Sequence, residues 1–311
     1  MIEAGLIVAR FLHFVAVTTL AGASFFPLYA YPGNDYRQPP AFARRMQMVL
    51  FWAANTVLVS GILWFIFTVA NMSGAWDGIL DRETLGAVLG DTSFGNLWTA
   101  RLVLCIVTIV VIWHRFDSRA SRRRDVIAAI LAAVLLISIA GVGHSQVEQG
   151  VAGAIHVISD ATHLLAAGAW LGGLVPLALI IAARGRDRES TAETDFDRVL
   201  MRFSGMGYVA VATLVGSGLV NSWFVVGAFS GLQETAYGQM LVAKLVLFAG
   251  MLALAVSNRF WIVPSLAKAA TDGSSAWTAR LRNHVLGEQV LGLMVLLIVS
   301  VLGTMPPAIR P

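Results

Sequence analysis

The sequence predicts an all-α polytopic membrane protein with eight transmembrane helices, and three observations predict it. The 311 residues are 57% hydrophobic and only 13% charged, whereas soluble domains carry about 25% charged residues. Mean hydropathy is +0.74. The apolar residues gather in runs near the length of about 20 residues that a helix needs to cross a bilayer core. The basic residues collect in alternate loops. A molecular surface so poor in charge is stable in lipid, where backbone groups must pair internally and helices are the form open to such runs. The net charge of +4 carries no nucleic-acid signature, because the arginines are not interleaved with aromatics and no binding motif accompanies them.

The eight spans cover 5–29, 46–70, 97–114, 126–143, 153–183, 203–227, 238–257 and 285–304. The first starts directly after Met1-Ile2-Glu3, without the basic leader and short apolar core of a cleaved signal, so it reads as a retained helix. Of the 22 lysines and arginines, three lie in loop 31–45, five in 115–125, five in 184–202 and four in 258–284. By the positive-inside rule these four loops face the cytoplasm, and both termini and loop 71–96 face outward. Lone Cys105 excludes an intrachain disulfide and a cysteine zinc site, and reads as packing.

The chain also reads as an internal repeat, about 1–146 and about 150–311, of four helices each. Thr92-Ser93-Phe94-Gly95-Asn96 leading to Ala100-Arg101-Leu102 matches Thr235-Ala236-Tyr237-Gly238-Gln239 leading to Ala243-Lys244-Leu245 without gaps. Arg45 precedes Ser60-Gly61 by the spacing at which Arg202 precedes Ser217-Gly218. His13 and Gly22 are spaced like His163 and Gly172, with Pro27 and Pro176 shortly after. An even number of helices per repeat makes the halves parallel, related by a pseudo-two-fold axis along the membrane normal. His13 and His163 are then mates, as are Arg101 and Lys244.

Ionisable residues inside spans are costly and mark function. Arg10 and His13 share one face of the first span. His156, Asp160 and His163 form one stripe of the fifth. His144 closes the fourth. Under the topology above all lie in the outer half of the bilayer. His156 and His163 stand about 10 Å apart along their helix, so a single ion needs ligands from several helices. His13, His144, His156 and His163 are the candidate metal ligands. Asp160 can orient an imidazole, ligate, or pair with Lys244 or Arg101. Arg10, Arg101 and Lys244 read as charge partners or as snorkelling cations. His114 and His284 read as interfacial, with Glu288 pairing to His284. Met72, Met240 and Met305 near the outer rim can in principle take Cu(I), but read as packing. Gly168, Gly172, Gly173, Gly216 and Gly218 allow close helix approach. Asn221 and Trp223 are placed to line the same cavity. Trp52, Trp64, Trp98, Trp170 and Trp261 read as belts or packing.

The segments Ala9-Arg10-Phe11-Leu12-His13-Phe14, Gly143-His144, Asp160 to Leu174 and Thr235-Ala236-Tyr237-Gly238 resemble the copper resistance D family (CopD, PcoD) over nearly the whole chain, most specifically in the fifth span. The resemblance implies copper movement across or into the inner membrane, often beside a periplasmic copper-binding partner of the CopC type. Three functions follow as expectations. One is copper transport through an outward-facing histidine site, suited to copper's preference for imidazole and thioether donors. The alternative is a redox module holding haem b between His13 and His163. A non-catalytic membrane partner or sensor is a third. No Walker motif is present and nothing points to hydrolysis or group transfer, so the expectation is a protein that is not an enzyme.

Overall fold

The structure is a computed structural model and describes residues 1–31, 40–79, 81–114, 121–142, 150–184, 193–226, 229–269 and 276–306. These form helices α1 Ile2–Ala30, α2 Pro40–Ser73, α3 Arg82–Asp91, α4 Ser93–Trp113, α5 Arg122–Ile137, α6 Gly150–Ala167, α7 Leu174–Arg184, α8 Glu193–Val226, α9 Phe229–Glu234, α10 Ala236–Ser257, α11 Val263–Ala269 and α12 Ala276–Leu302. No strand occurs among the described residues. Among the described residues, seven helical stretches are long and apolar enough to cross a membrane: α1, α2, α4, Gly150–Arg184, Phe196–Val226, Ala236–Leu266 and α12. The fourth expected span corresponds to α5. It has 16 helical residues, followed by a 3-10 turn at Ala140–Val142 that contains Gly141, a poor helix former.

Helix α1 lies at the centre, packed against α2, α5, α7, α8 and α12. Half of its apolar window is buried, as is half of the Gly150–Arg184 span, against 11% for Ala236–Leu266, which faces outward. The two central spans touch through glycine. A Cβ on Gly22 would strike the backbone of Gly172 and Gly173, and a Cβ on Gly172 would strike the Thr18 carbonyl and Gly22. Without side chains there, the backbones approach as closely as small residues permit.

Two spans contain a π-helical turn, at Gly168–Gly172 between α6 and α7 and at Asn258–Ile262 between α10 and α11. A proline follows each, Pro176 and Pro264. Proline has no N–H to give the carbonyl one turn back and its ring crowds that carbonyl. A wider turn upstream takes up the misfit without ending the helix.

The starts of α4 and α10 are built alike. The Thr92 hydroxyl accepts from the Gly95 N–H at 2.9 Å and donates to the Val88 carbonyl at 2.5 Å. Thr235 accepts from Gly238 at 3.0 Å and donates to Gly231 at 2.6 Å. Each threonine thus caps a long helix and ties it to the short helix before it. Thr92→Ala or Thr235→Ala is expected to cost about 1 kcal/mol, read as a lower unfolding temperature in detergent.

Candidate functional site

The ionisable residues expected to form the site separate into two groups, one in each half of the chain. His13 is 1% exposed. Its Nδ1 lies 3.1 Å from Ser60 Oγ on α2 and its Nε2 lies 2.7 Å from Arg101 Nη2 on α4. Arginine can only donate, so Nε2 accepts and the ring proton sits on Nδ1, directed at Ser60. Ser60 passes its own hydrogen to the Thr56 carbonyl at 2.5 Å. Arg101 also donates to the Leu135 carbonyl at 3.1 Å and to Ser138 Oγ. Trp64 meets the His13 ring edge-on at 5.4 Å and Trp98 lies at 6.3 Å. Trp98 is held by its indole N–H on the Gly61 carbonyl at 3.2 Å. Arg10 lies 4.7 Å above the Trp64 ring and packs against Gly303. This pocket is closed, cationic and aromatic.

The second group repeats the serine–histidine pair without the arginine cap. His163 Nδ1 is 2.9 Å from Ser217 Oγ on α8, and Ser217 donates to the Thr213 carbonyl at 2.6 Å. Ser217 therefore accepts from Nδ1–H, and the lone pair of His163 is on Nε2. No hydrogen bond reaches that nitrogen among the described residues. Lys244, aligned with Arg101, is within electrostatic reach of His163 and of Asp160. Asp160 accepts from Asn221 Nδ2 at 3.4 Å and lies within electrostatic reach of His156 and Tyr237. The buried His156 ring stacks on Phe224 at 4.7 Å and 10°.

The structure thus does not bring the expected ligands into one cluster. His13 stays in its own pocket. His156, Asp160 and His163 share α6, as their spacing required, and His144 lies outside the described residues. No group of three or more His, Cys, Asp or Glu side chains able to hold a metal forms among the described residues. Arg101 does not pair with Asp160, since its hydrogen bonds go to His13, Leu135 and Ser138. Lys244 lies within electrostatic reach of Asp160 but forms no ion pair with it among the described residues. Trp223 is 73% exposed, and a Cβ on Gly216 would meet nothing within 4 Å. Glu288 receives Asn258 Nδ2 at 2.7 Å in place of the expected His284. The roles of Ser60, Ser217, Trp64 and Trp98 go beyond the sequence reading. The available signal was the Ser-Gly pair recurring at equal distance from an arginine.

A haem between His13 and His163 does not fit these residues. It needs an open nitrogen on both histidines and room for a flat macrocycle beside each. Both His13 nitrogens are engaged, and Trp64 and Trp98 occupy the space next to its ring.

Comparison with known proteins assigns the family. Residues 1–154 match the model of the copper resistance protein D-like N-terminal domain, and residues 197–302 match that of copper resistance protein D. The chain belongs to the copper resistance D family. It is 29% identical over 303 residues to the inner membrane protein YebZ of Escherichia coli K12, covering 97% of this chain and 98% of that one. It is 29% identical over 303 residues to copper resistance protein D of Pseudomonas syringae pv. tomato, covering 97% and 96%. With the copper transport protein CutJ of Bacillus subtilis it shares 28% identity over 252 residues, covering 79% of this chain and 44% of CutJ. No solved structure matches. This family member is a copper-related helical membrane protein, consistent with its seven span-forming stretches.

Proposed function

We propose that the chain carries copper across or into the cytoplasmic membrane from a periplasmic donor, acting as a carrier and not as an enzyme, through an outward-facing site on α6 and α8. The observation that carries this reading is His163: Ser217 fixes its Nδ1–H at 2.9 Å, and no hydrogen bond reaches Nε2 among the described residues. An imidazole oriented through one nitrogen and open at the other is the usual state of a metal ligand. His156 lies about two turns further out on the same helix, roughly 10 Å away. Asp160 stands between them, so copper meets two successive stations bridged by one carboxylate. Soft-to-borderline copper suits imidazole at both. His13, closed by Arg101, is a reserve station that opens only when the guanidinium withdraws.

The topology belongs to the same reading. Eight helices cross, with α5 as the fourth, and both termini face the periplasm. Basic residues concentrate in alternate loops, which supports this orientation. The paired Ser60–His13 and Ser217–His163 contacts and the two threonine caps support a pair of parallel four-helix repeats. A soluble copper protein of the CopC type is the fitting donor.

The test is metal content. Purified chain loaded with copper and desalted is expected to retain the metal. His163→Ala loses it, and His13→Ala keeps it. Equal retention by all three proteins rules this site out.

A further inference from the structure

Helix α12 carries a buried carboxyl that the copper site does not use. Glu288 is 2% exposed. Asn258 Nδ2 donates to its Oε1 at 2.7 Å, and the Trp170 indole is its second hydrogen-bonding neighbour. Both donors come from π-helical turns, Asn258 opening one and Trp170 in the middle of the other. No ion pair to Glu288 forms among the described residues. One turn earlier on the same face of α12, His284 Nδ1 is buried without a hydrogen-bond partner.

The other charged groups around Glu288 are engaged or distant. Arg259, beside Asn258, turns its Nη1 to Met201 Sδ at 2.8 Å. Arg184 on α7 faces Asp197 at 4.0 Å. Lys244 on α10 is 14 residues before Asn258, about 21 Å along the helix. Arg10 on α1 meets α12 at Gly303, 15 residues beyond Glu288 and about 22 Å away. Arg280 and Arg282 lie further toward the start of α12 than His284, and Lys268 sits at the end of α11.

A carboxyl set among neutral donors can exist as an anion held by both or as a neutral acid, and exchange between the forms moves one proton. We propose that Glu288 is a proton-carrying site, with His284 as its relay to the cytoplasmic side, coupled to cation passage. The proton leaves the carboxyl oxygen for a water between the carboxyl and the His284 ring, which are not hydrogen-bonded to each other, and passes by that ring to bulk water. The Asn258 and Trp170 hydrogen bonds hold the carboxylate left behind. Trp170 is seven residues after His163 on one continuous span, about 10 Å deeper. A shift of that span when copper binds His163 therefore moves a donor of Glu288. This coupling rests on the copper reading above, whereas the protonation itself does not.

The test has two arms on the full chain. Membranes are treated with dicyclohexylcarbodiimide, which adds the O–H of a buried carboxylic acid across its C=N bond, and Glu288 labelling is read by mass spectrometry. Labelling is expected in the wild type, falling as pH rises, absent in Glu288→Gln and regained at that position in Glu288→Asp. Absence of label at Glu288, or label independent of pH, overturns the proposal. In the second arm, vesicles with a trapped pH dye receive copper. Proton movement is expected to drop at least tenfold in Glu288→Gln, and unchanged movement overturns the coupling. If wild-type vesicles pass no copper, the transport reading and the coupling fall together, and the labelling arm alone decides the protonation.

Discussion

Gly172→Ala is expected to be among the most damaging single-methyl changes in the protein. The added Cβ would strike the Thr18 carbonyl and Gly22, which are backbone atoms of the central helix. Backbone cannot step aside as a flexible side chain can, so α1 and the α6–α7 span must separate. Overpacking typically costs about 1–3 kcal/mol, and this contact belongs at the upper end because α1 also packs on α2, α5, α8 and α12. The measurement is thermal unfolding in detergent, with size-exclusion chromatography reporting loss of monodisperse protein. Gly22→Ala should behave alike. Gly216→Ala is the control: nothing lies within 4 Å of its Cβ position, and alanine's better helix propensity predicts an unchanged or slightly higher unfolding temperature. Equal behaviour of Gly172→Ala and Gly216→Ala removes the close crossing from the account.

Arg101→Met is expected to convert the closed His13 pocket into a second copper site. The guanidinium donates to His13 Nε2, Leu135 and Ser138, and methionine keeps much of its volume without a donor. His13 would keep its proton on Nδ1 through Ser60 and present a bare Nε2, with a thioether placed beside it. Copper content by elemental analysis should rise above the wild type, and Arg101→Met combined with His13→Ala should return it to the wild-type level. The variant also loses hydrogen bonds from a charged donor, worth about 1.5–3 kcal/mol each, so its unfolding temperature should fall. A variant that stays folded without any gain in copper rules out the cap as what closes His13.

What the sequence made legible follows from which signals are periodic. Length and hydropathy identified the apolar spans. The matched Thr92 and Thr235 segments both form helix caps, and Gly172, read as allowing close helix approach, does so against Gly22. The stripe of His156, Asp160 and His163 was legible because α6 is regular up to Ala167. The partners of the histidines were not. A serine within a span reads as a neutral packing residue, and nothing local says that Ser60 meets an imidazole 47 positions away. Trp64 and Trp98 read as ordinary aromatics for the same reason. The pairing of Glu288 with His284 followed helical spacing on one element, and it failed because donors from two other spans reached the carboxyl first. The end of α5 was blurred by Gly141, which counts as apolar but sustains a helix poorly.

The turn at Gly168–Gly172 has a further consequence for the span that contains it. Each α-helical residue advances the side-chain direction by about 100°, and a π turn holds more residues per revolution than an α turn. It therefore acts as a phase shifter within one rod: residues before Gly168 and after Gly172 point where no single helical wheel would put both. Deleting one residue from this stretch would restore a regular α-helix and leave the two ends close to their present relative orientation, because the π turn takes up one residue more per revolution than an α turn.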